Sequence, residues 1–240
     1  MAKSKYHRVL LKLSGESFCK ANSFGIDAER LQAIAKQIKQ IHQLDTQVAV
    51  VVGAGNILRG ESFSKMSDIP RNTADYMGML ATIINACALQ ETLEKANQPT
   101  RVLSAIEVSA ICEPFIRRRA LRHLERGRVA ILAGGTGNPF FTTDTCAALR
   151  AAELDADLLI KATKVSGVYS ADPAHDTNAE LFRKLSYDQV FKQNLRIMDH
   201  SAVSLCRDNN IRIIVLNIFK NDNVAKAVRG QQVGTLIEGN

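Results

Sequence analysis

An α/β sandwich around a central, largely parallel sheet is the fold class this chain predicts, on three observations. Short apolar runs of strand character alternate with stretches of helical period from one end to the other. The central runs are apolar at every position, as in Val48-Ala49-Val50-Val51-Val52, the pattern of a strand covered on both faces. Three of them end directly in glycine-rich turns. With 240 residues, 46% apolar and 23% charged, the chain can bury a sizeable core. It carries no repeat, low-complexity tract or Pro/Ser-rich linker, so residues 1–240 read as one domain.

The first strand is predicted over residues 7–13, His7-Arg8-Val9-Leu10-Leu11-Lys12-Leu13, stopping at Ser14-Gly15-Glu16-Ser17. From Asp27, an N-cap residue type, apolar side chains recur at Leu31, Ile34, Ala35, Ile38 and Ile41 with helical spacing. The all-apolar strand at Val48 then runs into Gly53-Ala54-Gly55-Asn56. Residues 61–72 show no period and stand as a soft stretch. A long helix is predicted over 75–95, a strand over 101–105, and a helix opening near Pro114, a residue suited to a first helical turn. The strand 129–133 meets Gly134-Gly135-Thr136-Gly137-Asn138-Pro139, followed by a helix over 145–154 and a strand over 157–162. Ser186-Tyr187-Asp188-Gln189 has the spacing of a capping box. A last long strand at 211–216 and a helix over 221–230 complete the alternation.

Lys and Arg total 31 against 24 Asp and Glu, a net charge of +7 that suits either a nucleic acid or a small anionic substrate. The longest apolar run is far short of the roughly 20 residues of a membrane helix. The basic first residues have no apolar stretch behind them, so neither a secretory signal nor a membrane partner is expected. Five cysteines, an odd number without a CxxC pair, argue against a disulfide scaffold or zinc module and fit a cytoplasmic setting. The five histidines lack metal spacing.

Glycine turns after Leu13, Val52 and Ala133 matter because ligands of open parallel sheets bind beyond the carboxyl ends of the strands. Glycine lets the main chain approach a ligand and aim its amides at an anion. GxxxxGK[ST] and GxGxxG are both absent, which excludes a P-loop and weighs against a dinucleotide fold. Basic residues accompany the turns: Lys12, Arg59, Lys161 and Lys164. Phosphoryl transfer needs positive charge around the moving group more than covalent chemistry. Lys12, which interrupts an apolar strand just before a glycine turn, is the least easily explained as surface charge.

The stretches Leu11-Lys12-Leu13-Ser14-Gly15-Glu16, Gly53-Ala54-Gly55-Asn56 with Arg59-Gly60, and Gly137-Asn138-Pro139-Phe140-Phe141-Thr142-Thr143-Asp144 resemble the bacterial uridylate (UMP) kinases of the amino acid kinase superfamily. Lys161-Ala162-Thr163-Lys164-Val165, Gly167-Val168-Tyr169, Ala171-Asp172-Pro173, Asp75 before Met77-Gly78-Met79-Leu80-Ala81-Thr82, and Met198-Asp199 extend the match. The resemblance implies transfer of a phosphoryl group from ATP to UMP with Mg2+, in pyrimidine nucleotide synthesis. It implies Lys12, Arg59, Asp144 and Lys161 as catalytic. Lys12 would contact the transferring oxygens, Lys161 the donor phosphates, and Asp144 would orient the lysines or the metal. On the ATP side it implies Lys12, Leu13, Ser14, Gly15, Gly55 and Arg59, with Thr163, Tyr169 and Asp172 toward adenosine. On the UMP side it implies Ala54, with Gly55 and Arg59, at or near the phosphate, Asp75 at the ribose, and Thr136, Gly137, Asn138, Pro139, Phe140, Phe141, Thr142 and Thr143. No protein-held metal site is implied.

The resemblance further implies a homohexamer with GTP as an activator and UTP as an inhibitor. Arg101 and Arg128 match effector positions, whereas Glu94 stands where some relatives have histidine. Ala54 replaces a third loop glycine, and Ser166 replaces a usual aspartate. Two other readings accompany this one: a sister kinase acting on a carboxylate or carbamate, and a nucleic-acid binder using the arginines between 117 and 128. That stretch reads more simply as a solvated amphipathic helix, so a nucleic-acid partner is not expected. The cysteines, Cys146 included, read as small buried apolar residues.

Overall fold

The computed structural model describes residues 3–171, 175–176, 178–195 and 197–239. Nine strands form one sheet: β1 (Arg8–Leu13), β2 (Gln47–Val52), β3 (Thr100–Ser104), β4 (Glu113–Pro114), β5 (Val129–Ala133), β6 (Leu158–Thr163), β7 (Lys184–Ser186), β8 (Arg212–Asn217) and β9 (Thr235–Glu238). Their spatial order is β4-β3-β5-β2-β1-β6-β8-β9-β7. Every pairing is parallel except that of β8 with β9. The helices are α1 (Ala28–His42), α2 (Gly60–Met66), α3 (Arg71–Lys95), α4 (Arg117–Glu125), α5 (Thr143–Glu153), α6 (Tyr187–Lys192), α7 (His200–Asp208) and α8 (Asn223–Val228).

Helix starts follow local chemistry. The Asp27 carboxylate accepts the Arg30 N–H at 3.0 Å. Ser186 and Gln189 exchange the reciprocal bonds of a capping box at 3.2 and 2.8 Å. Thr142 caps α5, its hydroxyl accepting the N–H groups of Asp144 and Thr145 at 3.0 and 3.2 Å.

Alternation along the strands builds a core on each side of the sheet. Val9, Leu11 and Leu13 of β1 pack with Ile34, Ile38, Leu89 and Val228 of α1, α3 and α8. Leu10 packs with Leu124, Ala147, Ala151 and Val203 of α4, α5 and α7. Successive side chains point to opposite faces, so Lys12 must share Leu10's face and Lys161 that of Leu159. In the parallel register Lys12 lies directly beside Lys161. Two lysines on adjacent central strands are thereby aimed at the same helix, α5.

Two expectations are corrected. Pro114 does not open a helix; it lies in β4 at the edge of the sheet, where a missing N–H costs no ladder bond, and α4 begins at Arg117. The long helix begins at Arg71, directly after Pro70, so the soft stretch holds α2 and the first turn of α3. Helix α2 has no buried residue, which is why its sequence shows no period. The short strands β7 and β9 and helix α7 went unpredicted.

Candidate active site

The glycine turns gather at the carboxyl ends of β1, β2 and β5. A Cβ on Gly15 would stand 2.1 Å from the Gly55 nitrogen, so the first two loops touch through main chain that only glycine permits. The Gly53 N–H donates to the Leu13 carbonyl at 2.8 Å. Ala54 is absent from the residues with positive φ, so its methyl is accommodated without strain.

Behind the loops a reciprocal amide pair holds the second turn. Asn85 of α3 donates to the Gly53 carbonyl and to Asn56 Oδ1, both at 2.8 Å. Asn56 donates back to Asn85 Oδ1 at 3.1 Å and to the Gly25 carbonyl at 2.7 Å. Both side chains are buried, and losing either would strand polar groups at a cost of about 1–3 kcal/mol. The Thr82 hydroxyl accepts the Gly134 N–H at 2.8 Å and so pins the third loop to the same helix.

Asp144, in the first turn of α5, sits between the two strand lysines. Lys12 Nζ lies 2.7 Å from Oδ1 and Lys161 Nζ 2.8 Å from Oδ2. Lys161 also donates to the Ile197 carbonyl. Lys12 is 6% exposed, so this is a nearly dry cluster of net positive charge. Burial pushes the Asp144 carboxyl up, but the Lys12 and Lys161 ammonium groups outweigh it and hold the acid below its usual range. For Lys161, burial and then Lys12's charge, opposed by Asp144, bring the ammonium below the usual lysine range.

Two clefts border the cluster, one reached by Thr143 beside Asp144 in the chain and the other by Lys161 itself. The first, about 430 Å3, is lined by Ser14, Gly15, Ala54, Gly55, Arg59, Asp75, Thr136, Phe141, Thr142 and Thr143, among others. The second, about 650 Å3, is lined by Lys161, Thr163, Val165, Val168, Tyr169, Leu195 and Ile197, among others. The sequence-derived residues therefore fall into two groups, with Ser14, Gly15, Gly55 and Arg59 on the wall of the first cleft and Thr163 and Tyr169 on that of the second. Leu13 is fully buried. Gly137, Asn138, Pro139 and Phe140 shape the third loop without lining the cleft. Asp172 lies outside the described residues.

Several side chains around the clefts carry no role in the sequence reading. Glu16 pairs with Arg59 and stands 3.9 Å from Lys164, bridging three loops. Asp199 caps α7 and accepts the hydroxyls of Thr142 and Thr145, which ties that helix to the start of α5. Arg71 lines the first cleft and grips Asp75. A polar residue at a buried helical position, as Asn85 is, was the one signal that could have been read.

Other features behave as ordinary structure. Ser166 Oγ accepts from Lys220 at 2.9 Å. Arg117 and Arg119 pair with Asp155 and Glu113 at 2.6 and 3.6 Å, and Arg101 with Glu94 at 2.9 Å. Cys146 is buried and its thiol is pushed up to about 11 by burial. Among the described residues, no three His, Cys, Asp or Glu side chains gather into a cation site, and no helix is long and apolar enough to cross a membrane.

Comparison with known proteins agrees with this geometry. Residues 7–217 match the model of the amino acid kinase family. A UMP kinase from Bacillus anthracis superposes with a TM-score of 0.94 at 39% identity, covering 98% of this chain and 97% of that one. A UMP kinase from Ureaplasma parvum gives 0.91 at 37%, over 99% and 100% of the two chains. A uridylate kinase from Archaeoglobus fulgidus gives 0.73 at 31%, over 95% and 99%. The likeness first read from loop motifs thus extends through the whole fold, and the chain is a kinase that belongs to the amino acid kinase family.

Proposed function

We propose that the chain phosphorylates UMP at the expense of ATP, by direct in-line transfer between nucleotides held in the two clefts. The observation that carries this reading is the buried Lys12–Asp144–Lys161 cluster, bordered by both clefts. An attacking UMP phosphate is already ionised and needs no strong base. The task is to stabilise charge on the transferring oxygens, for which two fixed ammonium groups in a dry setting are suited. Asp144 keeps both lysines charged and aimed, so that their ammonium groups are in place when a phosphoryl group arrives.

The first cleft takes UMP: Arg59 and the amides beside Gly55 face its phosphate, Asp75 the ribose, and the loop carrying Thr136 and Phe141 the uracil, while Ser14 and Gly15 on its wall face the donor phosphates. The second takes ATP, with Thr163 and Tyr169 toward the adenosine and Lys161 toward the phosphates. Asp144 is the one carboxylate of the cluster that would meet a magnesium ion carried in on ATP phosphate oxygens, since Mg2+ commonly rides on substrate phosphates with one or two protein acids. Bound there, the ion would neutralise charge developing on the phosphates.

The chain acts as one domain, in pyrimidine nucleotide synthesis in the cytoplasm. Assembly into a hexamer is supported by α3, which is apolar on both sides and leaves Tyr76, Leu80 and Ile84 about half exposed along one face. Control by GTP at Arg101 and Arg128 requires displacing their present partners, Glu94 and His123. ADP release measured with UMP, CMP, AMP, GMP and aspartate tests the reaction. UMP alone should support fast turnover, and a folded, Mg2+-supplied protein indifferent to UMP would end the proposal.

A further inference from the structure

The first cleft contains a side-chain junction that the transfer chemistry does not use. Asp75, only 12% exposed, is held by three elements. Arg71, one turn earlier on α3, directs Nε at both carboxylate oxygens, 2.8 and 2.9 Å away. The Phe140 N–H donates to Oδ2 at 2.8 Å. Gly60, at the start of α2, lies so close that a Cβ there would be 2.6 Å from Oδ1. The Arg71 guanidinium also stands over the Phe140 ring, 5.9 Å from its centroid, and 3.9 Å from the Glu61 carboxylate.

Phe140 has φ +72°, a region side-chain-bearing residues occupy only when their surroundings enforce it. Here the enforcing contacts are Asp75 and the Arg71 plane. The sugar-facing acid and the third loop are therefore one mechanical unit with Arg71 as its pin. Arg71 and Phe140 occupy most of the acceptor directions of the carboxylate, leaving room on Oδ1 for a sugar hydroxyl. A buried acceptor fixed in that way discriminates strongly against a ligand lacking the hydroxyl.

We infer that Arg71 is a positioning residue that sets the preference of the first cleft for a ribonucleotide over its 2′-deoxy counterpart. It does so by fixing Asp75 and coupling it to the Phe140 loop. The inference rests on the first cleft being the UMP site. The test is steady-state kinetics with UMP and dUMP on the full chain, its Arg71→Met variant and its Arg71→Lys variant. Arg71→Met should raise KM for UMP about tenfold with a much smaller fall in kcat, and move KM for dUMP by less than about twofold. Arg71→Lys should restore part of the preference. An equal rise for both substrates, a loss confined to kcat, or a wild-type enzyme indifferent to the 2′-hydroxyl would overturn the role of Arg71. Failure of the wild type to phosphorylate UMP at all would instead overturn the functional reading. If Arg71→Met does not fold, Arg71→Gln is judged by the same outcomes, with KM for ATP as the control.

Discussion

The two clefts on either side of the lysine–aspartate cluster are built from different materials. The first is made of loops, and nearly every loop is tied by a side chain from elsewhere: Asn85 to Gly53, Thr82 to Gly134, Asp75 to Phe140, Glu16 to Arg59. The second is made largely of a strand end and its following turn, with Val165, Val168, Leu195 and Ile197 supplying an apolar wall. A pocket held by directed polar contacts can reject a wrong substrate, because each mismatch strands a buried partner. An apolar slot holds its ligand by contact area and tolerates variation. On the proposed assignment, selectivity is concentrated on the phosphoryl acceptor, while the donor is held by shape.

The sharpest way to break this comparison is at the cluster the clefts share. Lys12→Ala should lower kcat about a thousandfold whichever substrate is varied. It leaves Asp144 with Lys161 as a neutral pair, so thermal unfolding should barely move. Asp144→Asn should also abolish most turnover, but it leaves two ammonium groups facing each other. About 3–5 kcal/mol of stability should go with it, measured by denaturant titration. Equal stability of the two variants would show the cluster is not electrostatically coupled.

A pH profile separates the two lysines. The folded Lys161 ammonium lies below the usual lysine range, so turnover should fall on an alkaline limb that begins below that range. Lys161→Arg, charged throughout, should push the limb upward. For stability the signs are opposed. Asp144, held low in the fold, contributes stability above the ordinary aspartate range and loses it as pH falls through its lowered value. Lys161, also held low, binds its proton more weakly folded than unfolded, so its unfavourable contribution is relieved as pH rises between those two values.

The smallest effects separate the clefts themselves. Asp75→Asn should raise KM for UMP roughly tenfold and leave that for ATP unchanged. Tyr169→Ala should raise KM for ATP only about threefold, because one ring among several apolar contacts is removed. Tyr169→Ala matching Asp75→Asn in size would dissolve the distinction between a polar and a shape-held pocket.

The sheet and the cluster were unevenly legible in the sequence. The central strands announced themselves because burial on both faces leaves no room for polar residues, as Val48-Ala49-Val50-Val51-Val52 shows. Lys12 stood out against that background, while the role of Asp144 came from motif resemblance alone. Strands β7 and β9, at one end of the sheet, are three and four residues long, too short for a period to appear. Helix α2 packs no side chain into the core, and Pro114 had two lawful settings, helix start and sheet edge, that only tertiary pairing decides. The ties of Asn85 to Gly53, Thr82 to Gly134 and Asp75 to Phe140 join residues distant in the chain, and only the polar Asn85 at a buried helical position leaves a local trace.

The side-by-side register of Lys12 and Lys161 also constrains when the protein can become active. Strand β1 is made first yet lies at the centre of the sheet, between β2 and β6. Until the second half of the chain is synthesised, one edge of β1 stays unpaired, with Lys12 lacking both its neighbour and its counterion. Pairings of such long range are slow to form, and an open apolar edge invites association with other chains. Transfer competence thus arrives only when the last central strand docks, so a nascent or truncated chain ending before β6 holds no partial activity.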